Sequence, residues 1–458
     1  MAFSFLNLYV LKPSEKPEAS GNDRRSQFVI FNEVFLILLI EALTLAQSRQ
    51  FDRVQLLNRR RDIITQLFSK TPPSQNLSLE AIAKEVKKIV NFAAANASSL
   101  DKQGIFPVEE FQQIAAAGLL VAPLSRSLGG LGLGFETGHT EELLMLLKEI
   151  GRANLVVGRI YEGHVNALQL IQTFGTDEQI EAYAVDAGNN KIFGVWNAEA
   201  EDGVKIIPLD NGKYRLEGSK TFCTGCGYVE RPFVNGKLPD GSWQMCIVPM
   251  DEVETVVNAD WWQPAGMRAT VSYKVDFTGV EVKPQSLLAQ PGDYFRQPWL
   301  SGGVIRFAAV QLGGAEALFD ATRRYLQKLD RSGHPHQQER LGRMAISIES
   351  GTLWLQGAAA MVDNYAPVFG GYPEDSQVQA SKLVAYSNMV RTAIEQICMD
   401  TIQLSQRSIG TLGMLPPEPA ERIIRDLSLY LRQPAFDASL TSVGKYVLTE
   451  TDDASQLW

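Results

Sequence analysis

The hydrophobic period of this chain changes twice, and this change constrains the fold more than any single motif. From about residue 78 to 190 apolar side chains recur at helical spacing, and Ser78 is the predicted N-cap of the first helix. From about residue 191 to 288 short apolar runs and alternating segments predict strands. From Trp299 the helical period returns and continues almost to the end. The order of helices, sheet and helices predicts an α+β multidomain protein.

The strand region is clearest at Thr270–Val282, where apolar and polar side chains alternate as in a half-buried strand. Two short apolar runs predict strands at Ile192–Trp196 and Trp243–Pro249, and Lys213–Phe222 combines strand-forming residues with turn residues at each end. The Asp-Asn-Gly and Pro-Asp-Gly sequences that end at Gly212 and Gly241 predict hairpin turns.

The second helical region contains one long stripe with few charges. Its members run from Ala380 to Thr401 and predict a helix that is buried on much of its circumference. The predicted boundaries are an N-terminal extension and linker at 1–77, an all-α domain at 78–190, a β domain at 191–288, a helical bundle at 289–450 and a tail at 451–458.

Composition excludes several classes of protein. The formal charge of −9 gives no general footprint for nucleic acid, so no nucleic-acid partner is predicted. Four cysteines in 458 residues cannot form a disulfide scaffold and indicate a reducing compartment, for which we expect the cytoplasm.

The only candidate membrane segment is the apolar run at 28–46. It includes Asn32, Glu33 and Glu41, which are costly inside a bilayer, and no cleavage site of a signal peptide follows it. We expect an amphipathic helical extension without membrane contact; a peripheral anchor and an upstream, unphysiological start are the alternatives.

Two motifs have simple interpretations. Cys223 and Cys226 form a single CxxC pair without a second pair at ligand spacing, so no metal site is predicted. His164, on an apolar helical segment, is predicted to be a satisfied core histidine rather than a catalyst.

Five segments, in order over about residues 78–450, resemble the acyl-CoA dehydrogenase superfamily. They are Gly104–Pro107 with Gly129-Gly130, Phe174–Thr176, Gly218–Gly225, Gly266–Thr270 followed by the strand that ends in Phe277, and Gly410–Gly413 with Pro419, Glu421-Arg422 and Arg425-Asp426. The resemblance implies an N-terminal all-α domain, a middle β-barrel domain and a C-terminal four-helix-bundle domain. It also implies a homodimer or homotetramer with FAD, for which FMN is the alternative.

The same resemblance implies where the flavin would bind. Phe222 offers an aromatic face to the ring, and Cys223 and Thr224 offer backbone N–H groups and a hydroxyl to its polar edge, where reduction places negative charge. Asn197, after Trp196, stands where the family has a flavin-contacting threonine.

Four more residues are implied for the remainder of the cofactor. Arg331 resembles the arginine that pairs with the pyrophosphate of the neighbouring subunit, although a surface charge is the alternative, and Gly410 allows a close backbone approach. Arg407 replaces a glutamine and Thr411 replaces a glycine, and these two changes leave the choice between FAD and FMN open.

The glutamate that acts as the base in acyl-CoA dehydrogenases has no counterpart here. Its usual position is occupied by Pro434 and its alternative position by Ile305, and neither side chain can accept a proton. Asp437 lies three residues after Pro434 and is a candidate substitute. The loop Glu199–Gly203, where the family grips acyl-CoA, carries extra acidic residues that would repel the phosphates of CoA.

These departures resemble the flavin monooxygenase branch of the superfamily, which uses a C4a-hydroperoxyflavin and needs no carboxylate base. Candidate donors to that group are Asn197, Thr224 and Tyr430. The main prediction is an acyl-CoA dehydrogenase-like flavoprotein acting on CH–CH groups of an acyl thioester such as acyl-CoA. The alternative is a monooxygenase that hydroxylates a small molecule, and the second alternative is a flavin-free, non-catalytic relic.

Overall fold

A computed structural model describes residues 79–297, 299–365, 376–433 and 436–458. The predicted N-terminal extension, its apolar run at 28–46 and Pro434 lie outside these residues. Within them, every helix is too short or too polar to cross a bilayer.

The first part of the described chain is helical, as predicted. Its helices are α1 (Leu79–Gln103), α2 (Val108–Ala116), α3 (Thr140–Ala153), α4 (Leu155–Phe174) and α5 (Asp177–Gly188). Side chains fix two of the starts: the Asn154 side chain accepts the N–H of Val156 before α4, and Thr176 forms a capping box with Gln179 before α5. Helix α4 is buried along most of its length, because it packs on β1 as well as on α3.

The middle part folds into two sheets. Its strands are β1 (Ile192–Trp196), β2 (Lys205–Pro208), β3 (Tyr214–Glu217), β4 (Ser219–Cys223), β5 (Val229–Lys237), β6 (Trp243–Ile247), β7 (Val256–Asn258), β8 (Tyr273–Asp276), β9 (Val280–Val282) and β10 (Leu287–Leu288). Seven of them form one sheet in the order β10-β6-β5-β2-β3-β9, with β1 parallel to β5, and the other three form a sheet in the order β4-β8-β7. This region corresponds to the expected β-barrel domain.

The predicted long strand at 270–282 is broken in two, and this prediction was wrong. Met267 and Val271 both take the left-handed conformation, with φ of 54° and 43°, and enclose a short 3-10 turn before β8 begins. A second turn ends at Gly279, with φ of 86°, and separates β8 from β9. Alternation of apolar and polar residues does not reveal such turns, because the pattern reports which side of the sheet each side chain faces and not the backbone conformation.

The last part is a bundle of long helices. They are α6 (Trp299–Lys328), α7 (Pro335–Tyr365), α8 (Ser376–Ile409), α9 (Ala420–Tyr430) and α10 (Phe436–Thr449). The predicted apolar stripe lies on α8, and its members at Leu383, Val390 and Ile394 are buried in the core. Helix α6 packs against α8 on one side and α3 on the other, so it joins both helical parts.

One junction between the helices and the sheets lies at the loop before β8. The N–H of Met267, in the loop before β8, donates to the carboxylate of Asp426 on α9 at 2.6 Å. The guanidinium of Arg425 reaches Asp101 on α1 at 2.7 Å. A Cβ added at Gly266 would lie 2.2 Å from the carbonyl oxygen of Arg425, so this position requires glycine. The junction holds the end of α9 in place against the sheets.

Candidate active site

The end of strand β4, where the chain enters a turn, presents an aromatic ring to solvent under backbone strain. Phe222 has a φ of 53°, which is unusual for a bulky L-residue, and its side chain is 51% exposed. The N–H of Thr224 donates to the carbonyl oxygen of Phe222 at 2.8 Å and closes the turn. An exposed aromatic side chain on a strained backbone is typical of a functional position.

Two tryptophans complete this surface, which we call the aromatic ledge and define as Phe222, Trp261 and Trp262. The ring of Phe222 stands edge-on to Trp261, with centroids 4.8 Å apart and an interplanar angle of 88°. Trp262 lies 6.0 Å from the same ring, and the two indoles are stacked 6.3 Å apart. The ledge therefore offers a broad apolar surface to a planar ligand.

The polar groups beside the ledge differ in part from the expectation. Because the N–H of Thr224 is used within the turn, its hydroxyl remains as the group that can reach a ligand. That hydroxyl lies 2.9 Å from the hydroxyl of Ser272, which lies 2.8 Å from that of Thr270, so the three hydroxyls form a chain. Cys223 is buried, and burial raises the pKa of its thiol well above the usual range, which argues against a nucleophile.

The end of β1 connects the ledge to the interior. The indole N–H of Trp196 donates to the carbonyl oxygen of Thr224 at 2.8 Å. The next residue, Asn197, donates its amide N–H to the Tyr294 hydroxyl at 3.2 Å. Burial raises the pKa of Tyr294 to about 12, so this hydroxyl is neutral at physiological pH.

The acidic loop after β1 has its own counter-charges. The ammonium of Lys220, fully buried beneath the ledge, lies 2.6 Å from the carboxylate of Glu199. Asp202 lies 2.7 Å from the ammonium of Lys274. Two acidic residues of the loop thus neutralise lysines of the sheet, which weakens the expectation that the loop repels phosphates.

Polar side chains also meet beside α4 and α6, in a group that we call the inner cluster: Arg159, Glu162, Asn166, Arg306 and Tyr430. Arg159 forms an ion pair with Glu162 at 2.6 Å, and its guanidinium lies 6.0 Å from the centre of the Tyr430 ring. Arg306 donates to the amide oxygen of Asn166 at 2.8 Å. The charge of Glu162 acts on Arg306, Tyr430 and also on Tyr294, which ties the cluster to Asn197.

Two enclosed donors of the inner cluster have no hydrogen-bond partner among the described residues. They are the hydroxyl of Tyr430, whose side chain is 4% exposed, and the Nε–H of Arg306. Burial raises the pKa of Tyr430 and lowers the pKa of Arg306. Buried polar groups are paired in most proteins, so two unpaired donors in one cluster call for a ligand.

The candidate base positions give no carboxylate to this cluster. Ile305 is buried in the core next to Arg306. Asp437 lies at the start of α10 with an exposed side chain. Burial raises the pKa of Glu395 and the charge of Asp437 adds to this rise, whereas Asp437 is not among the groups that act on Tyr430. Glu162 is the one carboxylate of the inner cluster, and Arg159 holds it.

The predicted contacts to the rest of the cofactor form a separate group at one end of the bundle. Arg331 is exposed in the turn between α6 and α7, and Arg407, Gly410 and Thr411 are exposed where α8 ends. Arg340 on α7 donates to the carbonyl oxygen of Arg407 at 3.3 Å, which brings the two segments together. Their roles remain a prediction, as do those of the residues at the ledge.

His164 has the structural role that the sequence predicted. Its Nδ1 accepts the N–H of Phe193 at 3.0 Å and its Nε2 lies 2.8 Å from the carbonyl oxygen of Leu120, so both ring nitrogens are satisfied. Arg159, Glu162 and Asn166, on the same helix, were missed in the sequence. Charged residues three positions apart within an otherwise apolar helix were the available signal.

Two family models match the chain and together span more than half of it. The N-terminal domain of acyl-CoA dehydrogenases matches residues 77–188, and their C-terminal domain matches residues 299–431.

Curated relatives include both kinds of enzyme. A dibenzothiophene monooxygenase of Mycolicibacterium goodii is 25% identical over 76% of this chain and 89% of its own length. A probable acyl-CoA dehydrogenase of Bacillus subtilis is 25% identical over 78% of this chain and 92% of its own length. Among solved structures, the dibenzothiophene monooxygenase TdsC from Paenibacillus sp. A11-2 has a TM-score of 0.73 at 20% identity, with 83% of this chain and all of TdsC covered. TdsC with bound FMN also matches, with the same TM-score of 0.73.

Proposed function

This chain belongs to the acyl-CoA dehydrogenase superfamily, and on that basis we propose that it is a flavin-dependent monooxygenase that oxidises a small molecule. The coarser assignment, an oxidoreductase with the acyl-CoA dehydrogenase fold, follows from the family itself. The observation that carries the finer proposal is the buried isoleucine at position 305, which the resemblance places at one of the two family positions of the carboxylate base.

Proton abstraction requires a carboxylate that is free to accept the proton. In the inner cluster the only carboxylate is that of Glu162, and its 2.6 Å ion pair with Arg159 holds it in place. The position of Pro434 was assigned from the sequence alone, and a proline offers no proton acceptor. An oxygen-transferring enzyme needs no such base, which favours monooxygenation over dehydrogenation.

The residues at the ledge fit a flavin. Phe222 and Trp261 supply apolar surface for the ring, and the hydroxyl of Thr224 is poised for its polar edge. A bound reduced flavin would supply the activation of molecular oxygen. The aromatic side chains would exclude water from that face, and Asn197, held by Tyr294, would present an amide toward it.

We infer FMN as the preferred cofactor. TdsC, which shares the fold, has been solved with FMN. Arg407 and Thr411 replace the glutamine and the glycine that the resemblance implies at these positions of FAD-binding relatives. The adenine half of FAD would therefore lose its usual contacts. We also propose a homodimer or homotetramer, because the exposed Arg331 would be placed to meet the cofactor of a neighbouring subunit.

Acyl-CoA dehydrogenation is the second candidate. It is favoured by the pairing of Glu199 with Lys220 and of Asp202 with Lys274, because these pairs remove much of the charge that would repel CoA. The probable acyl-CoA dehydrogenase among the relatives points in the same direction.

Two measurements on the purified holoprotein separate the candidates. If the protein is a monooxygenase, rapid mixing of the reduced protein with oxygen should give a transient absorbance that differs from those of reduced and of oxidised flavin. In that case acyl-CoAs of several chain lengths should also leave the oxidised flavin unbleached without oxygen. Bleaching by an acyl-CoA, together with a direct return to oxidised flavin, would establish the dehydrogenase instead. A colourless protein that binds neither FMN nor FAD would identify a relic.

A further inference from the structure

The inner cluster has more cationic than anionic groups. The guanidinium groups of Arg159 and Arg306 share a single carboxylate, that of Glu162. Glu162 is within hydrogen-bond distance of Arg159, whereas the described hydrogen bond of Arg306 goes to the neutral amide of Asn166. A partly buried cation without an anion at hydrogen-bond distance is costly, and a bound anion would remove that cost.

The unused donors of the cluster match the needs of such an anion. Arg306 donates one NH2 group to Asn166, and its enclosed Nε–H has no partner in the described structure. The hydroxyl of Tyr430 is likewise enclosed and unpaired within that part of the chain. An arginine fork and a phenol hydroxyl together suit the oxygens of a carboxylate or a sulfinate.

The location points to the substrate. Arg306 directly follows Ile305 on α6, and Ile305 stands at a position that the resemblance gives to the catalytic base of the family. Glu162, which acts electrostatically on Arg306 and Tyr430, also acts on Tyr294, the partner of Asn197 beside the ledge. The cluster therefore lies within electrostatic reach of the hydrogen-bonded pair of Asn197 and Tyr294.

We propose that the substrate of this enzyme is a small organic anion whose carboxylate or sulfinate is bound by Arg306, with Tyr430 as the second donor. The proposal rests on the proposed function, because it names the substrate class of that same site. It distinguishes this protein from an enzyme for neutral aromatic substrates, for which an uncompensated arginine in the pocket would be unfavourable.

The test measures binding rather than turnover. The oxidised holoprotein is titrated with acetate, benzoate and methanesulfinate, and with the neutral amides acetamide and benzamide, while the visible spectrum of the flavin is followed. We expect at least one anion to perturb the spectrum and to bind roughly tenfold or more tightly than the amide probes, as a charge-assisted hydrogen bond would give. If none of the three anions binds to the holoprotein, or if benzoate and benzamide bind equally tightly, the proposal is wrong.

Three variants assign the effect to the cluster. Arg306→Met should abolish the preference for the anion, and Tyr430→Phe should weaken anion binding without lowering the melting temperature, because it removes an unpaired hydroxyl. Arg152→Met removes an arginine paired with Glu149 on α3 and should leave the preference intact. If Arg306→Met still prefers the anions over the neutral amides, the assignment is wrong. If Arg306→Met does not fold, an unchanged preference in Tyr430→Phe contradicts the assignment instead.

The phosphate of the flavin is the other anion that Arg306 could bind. In that case Arg306→Met would weaken FMN binding itself and leave the anion titration unaffected, and the proposal would be wrong. Failure of the anion titration would leave the oxygen-mixing result untouched, since that experiment needs no substrate. The two proposals can therefore fail separately.

Discussion

At the scale of single residues, the strained turn at Phe222 carries most of the functional argument. A left-handed conformation costs an L-residue about 1–2 kcal/mol, and here the cost falls on an aromatic side chain that is half exposed. Stability alone would favour glycine or asparagine at this position. A ring that is retained in spite of the strain is best explained by a ligand that packs on it.

Replacement of this ring should separate binding from stability. Phe222→Gly relieves the strain but loses the edge-on contacts with Trp261 and Trp262, so we expect its melting temperature to stay close to that of the wild type. Its affinity for FMN should fall about tenfold, the equivalent of about 1.4 kcal/mol. Phe222→Tyr keeps the ring and should keep the affinity. Equal FMN affinity in Phe222→Gly and the wild type would remove Phe222 from the cofactor site.

A second residue-scale prediction concerns pH. Burial raises the pKa of Glu230 to about 7, and the charge of Asp251 acts in the same direction. The N–H of Ile192, which donates to the carboxylate at 2.8 Å, and the charges of Arg231 and Lys191 only partly offset this rise. The folded protein keeps this proton where the unfolded chain has lost it, so Glu230 lowers the stability as the pH rises from about 4.5 to about 7. His164, whose pKa burial lowers to about 4, acts in the opposite direction between about pH 4 and 6.5.

Glu230→Gln should therefore reduce the loss of stability that the protein shows as the pH rises. The amide keeps an acceptor for the N–H of Ile192 but cannot ionise. The difference in the free energy of unfolding between the variant and the wild type should shift in favour of the variant by on the order of 2 kcal/mol from pH 5 to pH 7.5. Melting temperatures at the two pH values measure this difference. Parallel profiles of the two proteins would show that Glu230 does not titrate as described.

At the scale of elements, close helix packing depends on glycines that sequence analysis did not assign. A Cβ at Gly151 on α3 would lie 2.4 Å from the carbonyl oxygen of Val310 on α6, and one at Gly313 would lie 2.0 Å from that of Lys148. The two helices are thus in backbone contact. This crossing fixes α6, and with it Arg306, against the N-terminal helices.

Gly151→Ala should force the two helices apart. We expect a loss of about 1–3 kcal/mol of stability, the usual cost of an overpacked core. Gly342→Ala, on α7, is the matched control, because no atom lies within 4 Å of its added Cβ, and it should gain up to about 1 kcal/mol from helix propensity. Similar melting temperatures of the two variants would contradict the described contact.

The sequence predicted elements better than it predicted their interruptions. The bounds of β1 were predicted without error, because a short apolar run between turns has one interpretation. The break before β8 was missed, since the positive φ values at Met267 and Val271 belong to residues that rarely adopt them. The inner cluster, apart from Tyr430, was missed for another reason: Arg159 and Asn166 on α4 are far in sequence from Arg306 and meet it only when α4 packs on α6.

At the scale of the whole molecule, the site depends on the way in which the sheets meet the bundle. Asp426 and Arg425 on α9 bind the loop at Met267 and the helix α1, so they hold Tyr430, one turn further along α9, in position. The ledge belongs to the sheets, and the inner cluster belongs to the helices. Catalysis in this account requires both, since the ledge would hold the flavin and the cluster would hold the substrate.

A crystal structure of the protein with bound FMN tests the central claim most directly. We predict that the flavin ring packs against Phe222 and that the hydroxyl of Thr224 lies within hydrogen-bond distance of the polar edge of the ring. A flavin ring located elsewhere, away from the ledge, would contradict the account.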